Sequence, residues 1–334
     1  MTIRIGVNGF GRIGRSLFRA ARRDPRFHDL RIVAVNDAAP AESLIHLLKY
    51  DSVMGRLDEP VQPTPQGFTL AGEETRLFSS PTPETIPWRD AGVDLVVEAT
   101  GRFTRKEKAE GHLQAGAPRV VISAPGKGAM KTFVMGVNEG LYDPTQDRVV
   151  SNASCTTNAL AVTAQVIHGH FGIESGLITT VHAYTNDQRL LDAPHEDLRR
   201  ARAAGLSMIP TKTGAAQALG LVLPELAGKL DGLSVRVPTP NVSLVDAVFT
   251  VERPVSREAV NQAIQAAANR YLGYTEEPLV SIDLLGDPHS GVVDGGCTRV
   301  TGRTLKVMIW YDNEWGYANR VLDLILHMME RGTR

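Results

Sequence analysis

Three glycines near the start of the chain constrain its fold more than any other feature. Residues 3–8 (IRIGVN) read as a short apolar strand, Gly9, Phe10, Gly11, Arg12, Ile13 and Gly14 spell G-x-G-x-x-G, and RSLFRAARR follows with helical spacing. A strand that turns tightly into a helix opens a parallel α/β sheet, and each glycine then has a steric reason. Gly9 permits the turn, Gly11 lets a pyrophosphate approach the backbone, and Gly14 lets the helix pack close to the strand. The N–H groups at the helix start, those of Arg12 and Ile13 among them, would hold the anion. A second strand-like run, residues 31–36 (RIVAVN), ends at Asp37, about 20 residues beyond the last glycine, where a carboxylate suits the ribose hydroxyls of an adenosine. The alternative for Asp37 is a turn residue at a strand end.

Runs at 94–100 (DLVVEAT, then Gly101) and 119–124 (RVVISA) have the apolar composition of buried parallel strands. Their polar ends, Thr100 and Ser123, would line the same crevice, since ligands of open parallel sheets sit outside the carboxyl ends of the strands. Helices are expected at 41–50 and about 104–115, and the Pro-, Gly- and Thr-rich stretch 57–80 reads as an inserted antiparallel hairpin. At 334 residues the chain has room for two domains of about 150 each. With 36 Lys and Arg against 37 Asp and Glu, overall charge draws it neither to nucleic acid nor to a membrane. The basic run 198–204 (LRRARAA) has no aromatic interleaving and reads as a solvated or interface loop. No apolar stretch reaches about 20 residues and the first residues lack a basic-then-apolar leader, so a cytoplasmic enzyme is expected. Two cysteines, Cys155 and Cys297, are too few for a disulfide framework, and no His/Cys/Asp spacing suggests a metal site.

The second motif lies mid-chain. Residues 149–158 (VVSNASCTTN) lead into ALAVTAQVIHGHFG, whose apolar residues recur at helical spacing. Ser154 stands where an N-cap would, which puts Cys155 in the first turn, where the dipole and the orphan N–H groups favour a thiolate. His182 ends the apolar run 178–181 (ITTV) and is the candidate base. An inert buried thiol is the alternative for Cys155; Cys297 has no comparable setting and reads as structural. Farther on, SVRVPTPN, SLVDAVFTVERP, PLVSID and LKVMIWYDN are alternating or β-rich runs, and SREAVNQAIQAAANRYL has helical periodicity behind a Ser cap. Together they predict an α+β domain with a mostly antiparallel sheet, following a Rossmann-type doubly wound domain. Arg236 alternates with apolar neighbours in LSVRVP, a pattern that fits either a salt bridge or an anion site, and Thr213–Gly214 reads as a helix start.

NGFGRIGR, SNASCTTN, HAYTNDQRLLDAPHEDLRRARAA, TGAAQAL, RVPTPNVSLVD and WYDNEWGYANR, in this order over essentially the whole chain, resemble the phosphorylating glyceraldehyde-3-phosphate dehydrogenases. The resemblance implies a dinucleotide-binding domain over 1–153, a catalytic domain over 154–315, and a C-terminal helix, 316–334, that packs back on the first. It implies that Cys155 adds to the aldehyde of glyceraldehyde 3-phosphate and that His182 lowers its pKa through an ion pair and then serves as base. Asn313 would orient the nicotinamide, and inorganic phosphate would resolve the thioester. Ser154, Thr156, Thr213 and Gly214 would take the attacking phosphate, Thr185 and Arg236 the substrate's own. A homotetramer is implied, with the loop from about Asn186 to Met208 at an interface.

Lys212 and Gln217 depart from the family pattern beside the phosphate loop, and Arg102 does so after Thr100–Gly101. Asp37 argues for NAD, because its carboxylate would repel a 2′-phosphate, while Ala38 and Ala193 imply relaxed discrimination against NADP. Erythrose-4-phosphate oxidation is the nearest rival activity. A catalytically silent nucleotide-binding protein or a thiol hydrolase explains fewer of the motifs.

Overall fold

The computed structural model describes residues 2–332 and divides into two compact units. Among the described residues, the first comprises 2–133, 139–153 and 318–332. Its strands are β1 (Ile3–Asn8), β2 (Leu30–Asn36), the two-residue pair β3 (Tyr50–Asp51) and β4 (Gly55–Arg56), β5 (Val61–Thr64), β6 (Gly67–Leu70), β7 (Glu73–Phe78), β8 (Leu95–Glu98), β9 (Val120–Ile122) and β10 (Val149–Ser151). The main sheet runs β10-β9-β8-β1-β2-β7-β6-β5. From β10 to β7 every pairing is parallel; β6 and β5 add antiparallel to the outside. The order in which successive strands are added reverses at β1, flanked by β2 on one side and β8 on the other, and that topological switch opens the ligand crevice of such sheets.

The expected insertion at 57–80 is thus part of the sheet. Ala71 and Gly72, both at positive φ (49° and 85°), make the tight β6–β7 turn, and β7 pairs parallel with β2. Phe68 of β6 meets Phe10 and Phe18 with ring centroids 6.4 and 5.6 Å apart, so the hairpin is packed against the glycine turn and helix α1 (Arg12–Arg23). Helix α2 spans Ala41–Lys49 and α3 Trp88–Ala91. The helix expected at 104–115 forms as two short pieces, α4 (Lys106–Ala109) and α5 (Gly111–Gln114). Gly111 marks the break: a Cβ there would lie 2.4 Å from the Glu84 carboxylate.

The second unit comprises Val134–Asn138 and Ser154–Tyr317. Its sheet runs β12-β13-β11-β14-β17-β16-β15, from β11 (Ile173–Ala183), β12 (Ile209–Lys212), β13 (Leu230–Val237), β14 (Ser243–Val251), β15 (Leu272–Thr275), β16 (Gly291–Thr301) and β17 (Thr304–Tyr311). Only β11–β13 and β15–β16 pair in parallel, so the sheet is mostly antiparallel. Strict alternation of buried and half-buried residues along β14 shows one face turned to the core. Helices α6 (Cys155–Phe171), α7 (Ala215–Val222) and α8 (Arg257–Ala266) form the layer on it, α6 touching both others. Ser256 caps α8 by accepting the Ala259 N–H at 3.1 Å.

One β-rich run is misread by its composition. PLVSID forms a 3-10 turn at Ser281–Leu284. Asp283 accepts the Val280 N–H at 2.9 Å, a local side-chain bond that competes with a sheet ladder. The last helix, α9, spans Trp315–Gly332, and from Ala318 onward it belongs to the first unit, where Arg26 pairs with Asp323 at 3.6 Å. Thr333 and Arg334, the end of the expected span 316–334, lie outside the described residues.

Candidate active site

In the first unit the three glycines differ in what they meet. Gly9 has φ +96°, and a Cβ on it would sit 2.8 Å from the Thr100 nitrogen. A Cβ on Gly14 would strike the Gly9 carbonyl at 2.3 Å, so these two serve the close approach of helix and strands. Nothing lies within 4 Å of a Cβ on Gly11. The fold alone does not require glycine there, whereas a phosphate drawn against the backbone does. Gly11 is the N-cap of α1 and no side chain caps the helix, which leaves the start of the helix dipole to a ligand anion. Asp37 is held in place by two backbone donors, Phe10 to Oδ2 at 2.7 Å and Ala39 to Oδ1 at 2.9 Å. Each carboxylate oxygen keeps a lone pair for a ribose hydroxyl. These features fit a dinucleotide. The Arg12 side chain turns instead to Asp51, at 2.5 Å. Burial works to raise the Asp51 pKa, but Arg12 and the N–H groups of Val53 and Met54 outweigh it and hold the carboxyl below its usual range.

Below the crevice runs a chain of buried polar groups that no local motif announces. Glu98 Oε1 accepts from the Thr100 N–H at 2.8 Å and the Thr100 hydroxyl at 2.5 Å, and Oε2 from Asn8 at 2.6 Å and His112 Nε2 at 3.0 Å. Trp88 Nε1 donates to His112 Nδ1 at 3.0 Å, so the ring carries its proton on Nε2, toward Glu98. On the other side Asn36 donates to Asn8 at 2.8 Å and accepts the Ser80 N–H at 2.8 Å. Asn36, Asn8 and Glu98 are the last residues of the neighbouring strands β2, β1 and β8, so one network fixes the ends from which Asp37, the glycine turn and Thr100 emerge. Ser123 joins through its hydroxyl, 3.1 Å from the Glu98 carbonyl.

In the second unit Ser154 caps α6 by accepting the Thr157 N–H at 3.0 Å, and Cys155 is the first residue of that helix. Ala153, just before the cap, has φ +57°, a conformation that non-glycine residues rarely adopt. Cys155 Sγ lies 3.6 Å from His182 Nε2. His182 Nδ1 is 2.7 Å from the Ala183 carbonyl, which can only accept, so Nδ1 carries the proton and Nε2 presents a lone pair to the thiol. Burial pushes the Cys155 thiol up, opposed by the Thr156 hydroxyl and the Arg236 cation, and pushes the His182 imidazole down to about 3, with Arg236 adding to that shift. Burial therefore opposes the expected lowering of Cys155 by an ion pair and favours keeping the proton on sulfur. Passing it to Nε2 creates two opposite charges side by side, each stabilising the other.

Parallel register sets Arg236 of β13 beside His182 of β11. Its Nη1 reaches the Thr185 hydroxyl at 3.2 Å, the Ala183 carbonyl at 3.3 Å and Gln188 at 3.4 Å, while Nε is buried without a partner. Among the described residues no carboxylate forms an ion pair with Arg236, whereas neighbouring Arg200 pairs with Asp187. The salt-bridge alternative is thus the arrangement of Arg200. Tyr311, which the sequence did not single out, bridges the hydroxyls of Thr156 and Thr180 at 2.8 Å each, and its ring stands nearly perpendicular to that of His182 with centroids 6.0 Å apart. Thr156 is thereby occupied. Thr213 accepts the Ala215 N–H at 3.3 Å at the start of α7, where Gly214 is the N-cap, and among the described residues no hydrogen bond ties either residue to the cysteine cluster. Asn313 is buried; its Oδ1 accepts from Ser243 at 2.7 Å, and its Nδ2 has no partner among the described residues.

Residues 3–106 match the model of the glyceraldehyde 3-phosphate dehydrogenase NAD binding domain, and residues 154–313 that of the C-terminal domain of the same family. A glyceraldehyde-3-phosphate dehydrogenase of Geobacillus stearothermophilus is 54% identical over 99% of this chain and 100% of its own. Glyceraldehyde-3-phosphate dehydrogenase 2 of Bacillus subtilis is 52% identical over 99% of this chain and 98% of its own, and a Streptomyces arenae form is 52% identical over 97% and 98%.

Proposed function

Because the chain belongs to the glyceraldehyde-3-phosphate dehydrogenase family, an NAD-dependent oxidoreductase acting on glyceraldehyde 3-phosphate, we propose that it oxidises that aldehyde phosphorylatively, through a thioester on Cys155. Bound NAD supplies the hydride acceptor. Gly9, Gly11, Gly14 and Asp37 would hold its adenosine and pyrophosphate, with Thr100 and Ser123 at the crevice wall and Asn313 at the carboxamide.

The Cys155 sulfur adds to the aldehyde carbon as its proton passes to His182 Nε2, which is ready to receive it because Nδ1 is committed to the Ala183 carbonyl. The imidazolium returns that proton to the developing oxyanion, which the Cys155 N–H at the helix start also stabilises. His182 then withdraws the hydroxyl proton as the carbon gives up its hydride, leaving the acyl group on sulfur. Inorganic phosphate attacks the thioester carbonyl, the acyl phosphate leaves, and the departing sulfur takes back the proton held on His182 Nε2, restoring the thiol. Arg236 and Thr185 would grip the substrate's own phosphate. Its charge would also offset Arg236, removing one of the influences that keep His182 neutral. Ser154, Thr213 and Gly214 would take the attacking phosphate, with Thr156 the less available donor because its hydroxyl reaches Tyr311.

The observation that carries this reading is a guanidinium without a carboxylate, its Nε buried and unpartnered, beside the cysteine–histidine pair. A buried cation of this kind calls for an anionic ligand. In an assay of NADH absorbance, turnover should require phosphate, and Cys155→Ser should lose at least about 10⁴-fold in kcat. Sustained turnover without phosphate, or an active serine variant, would overturn the reading. The bare side chains of Leu190, Leu198 and Leu206, each more than 80% exposed, further support a homotetramer, which light scattering can test.

A further inference from the structure

The geometry points to Ser243 as a positioning residue that fixes the side-chain amide of Asn313 and ties it to the peptide that holds His182. Ser243 is 2% exposed, and its single hydroxyl proton goes to Asn313 Oδ1 at 2.7 Å, while its oxygen accepts the Ala183 N–H at 3.1 Å. The same residue, Ala183, accepts the His182 Nδ1 proton on its carbonyl at 2.7 Å. One backbone residue therefore registers the general base on its C=O and, through Ser243, the Asn313 amide on its N–H. A hydroxyl has only one proton to give, and giving it to Oδ1 leaves Nδ2 as the end of the amide turned to a ligand.

The backbone around Ser243 is strained in a way that this placement accounts for. Val242, a buried β-branched residue, has φ +64°. Such a conformation is costly for a β-branched residue and persists only where its surroundings enforce it. The enforcing contacts run from 241–243 to 312–313. Asn241 donates to Asp312 at 2.8 Å, and Asp312 also accepts the N–H groups of Gly286, Glu314 and Trp315 at 2.8 to 3.0 Å. The strained turn thus presents the Ser243 hydroxyl to the Asn313 amide from a segment whose Asn241 is tied to Asp312.

This inference rests on the reading of Asn313 as the partner of the nicotinamide carboxamide. The nicotinamide ring carries its carboxamide on one edge, so an anchored donor decides which face of the ring meets the substrate. If Ser243 is what keeps Nδ2 outward, its loss lets the amide turn over and offer Oδ1 to the same ring.

The test combines binding with stereochemistry. Dissociation constants for NAD come from quenching of tryptophan fluorescence, without turnover. The face used comes from oxidation of C1-deuterated glyceraldehyde 3-phosphate and NMR of the reduced nucleotide. Asn313→Ala should weaken NAD binding about tenfold and yield a mixture at C4; Ser243→Ala should do the same, and Ser243→Thr, which keeps the hydroxyl, should restore a single isomer. Ser243→Cys, similar in volume with a weak donor, replaces the alanine variant if that one does not fold. Loss of facial purity in Asn313→Ala with full purity in both Ser243→Ala and Ser243→Cys would overturn the role of Ser243 and leave that of Asn313. Full purity and native affinity in Asn313→Ala would overturn the reading of Asn313 and the inference with it.

Discussion

The two polar clusters differ in how fully they satisfy themselves. Beneath the crevice, both Glu98 oxygens, both ring nitrogens of His112 and the amides of Asn8 and Asn36 have partners inside the unit. Around Cys155, Arg236 keeps a buried Nε without a partner and Asn313 an unengaged Nδ2. A closed network fixes the shape of the backbone and leaves nothing for a ligand to displace. An incomplete one is costly by itself and recovers that cost when an anion or an amide arrives. Hydrogen-bond satisfaction thus separates the scaffold from the groups proposed to meet substrate and cofactor, although both are buried and polar.

The largest effect expected from breaking this contrast lies at the incomplete cluster. His182→Asn removes the acceptor for the thiol proton and should lower kcat by about 10²–10⁴-fold. Iodoacetamide should then alkylate Cys155 slowly at neutral pH and faster as pH rises, because a thiol whose pKa is pushed up by burial becomes thiolate only at higher pH. Superimposable alkylation profiles for native and variant chains would show that His182 does not receive this proton.

Next comes the closed network. Glu98→Gln puts a donor where two donors already point, whichever way the amide turns, and should cost about 2–3 kcal/mol in urea unfolding. If the loss were within about 0.5 kcal/mol, the network would not be what holds the three strand ends.

The smallest effect sharpens the comparison most. Gly11→Ala introduces a methyl into open space, at φ −73°, so the unfolding free energy should stay within about 0.5 kcal/mol of native while NAD affinity falls about tenfold. Unchanged affinity by calorimetry would place the pyrophosphate elsewhere.

Legibility from sequence follows the same division. The glycine turn, Asp37, the Ser154 cap and Cys155 are short-range patterns, readable because a strand end or helix start imposes its chemistry within a few residues. Arg236 was ambiguous because its meaning depends on the β11–β13 register, which sets it beside His182, and on Asp187 having paired with Arg200. Glu98, His112 and Trp88 gave no signal, since only sheet order and helix packing bring them together. Tyr311 looked like one more alternating strand residue, and PLVSID looked like a strand until Asp283 closed a local turn. Long-range pairing carries the information that local periodicity lacks.

Each of the two large sheets ends, on one side, in a short strand that contains a proline: Pro63 in β5 and Pro210 in β12. A proline has no N–H to offer an incoming strand, so both borders are poor templates for the edge-to-edge growth that leads to fibrils and amorphous precipitate. Copies of the chain that meet are steered toward side-chain surfaces and away from backbone zippering.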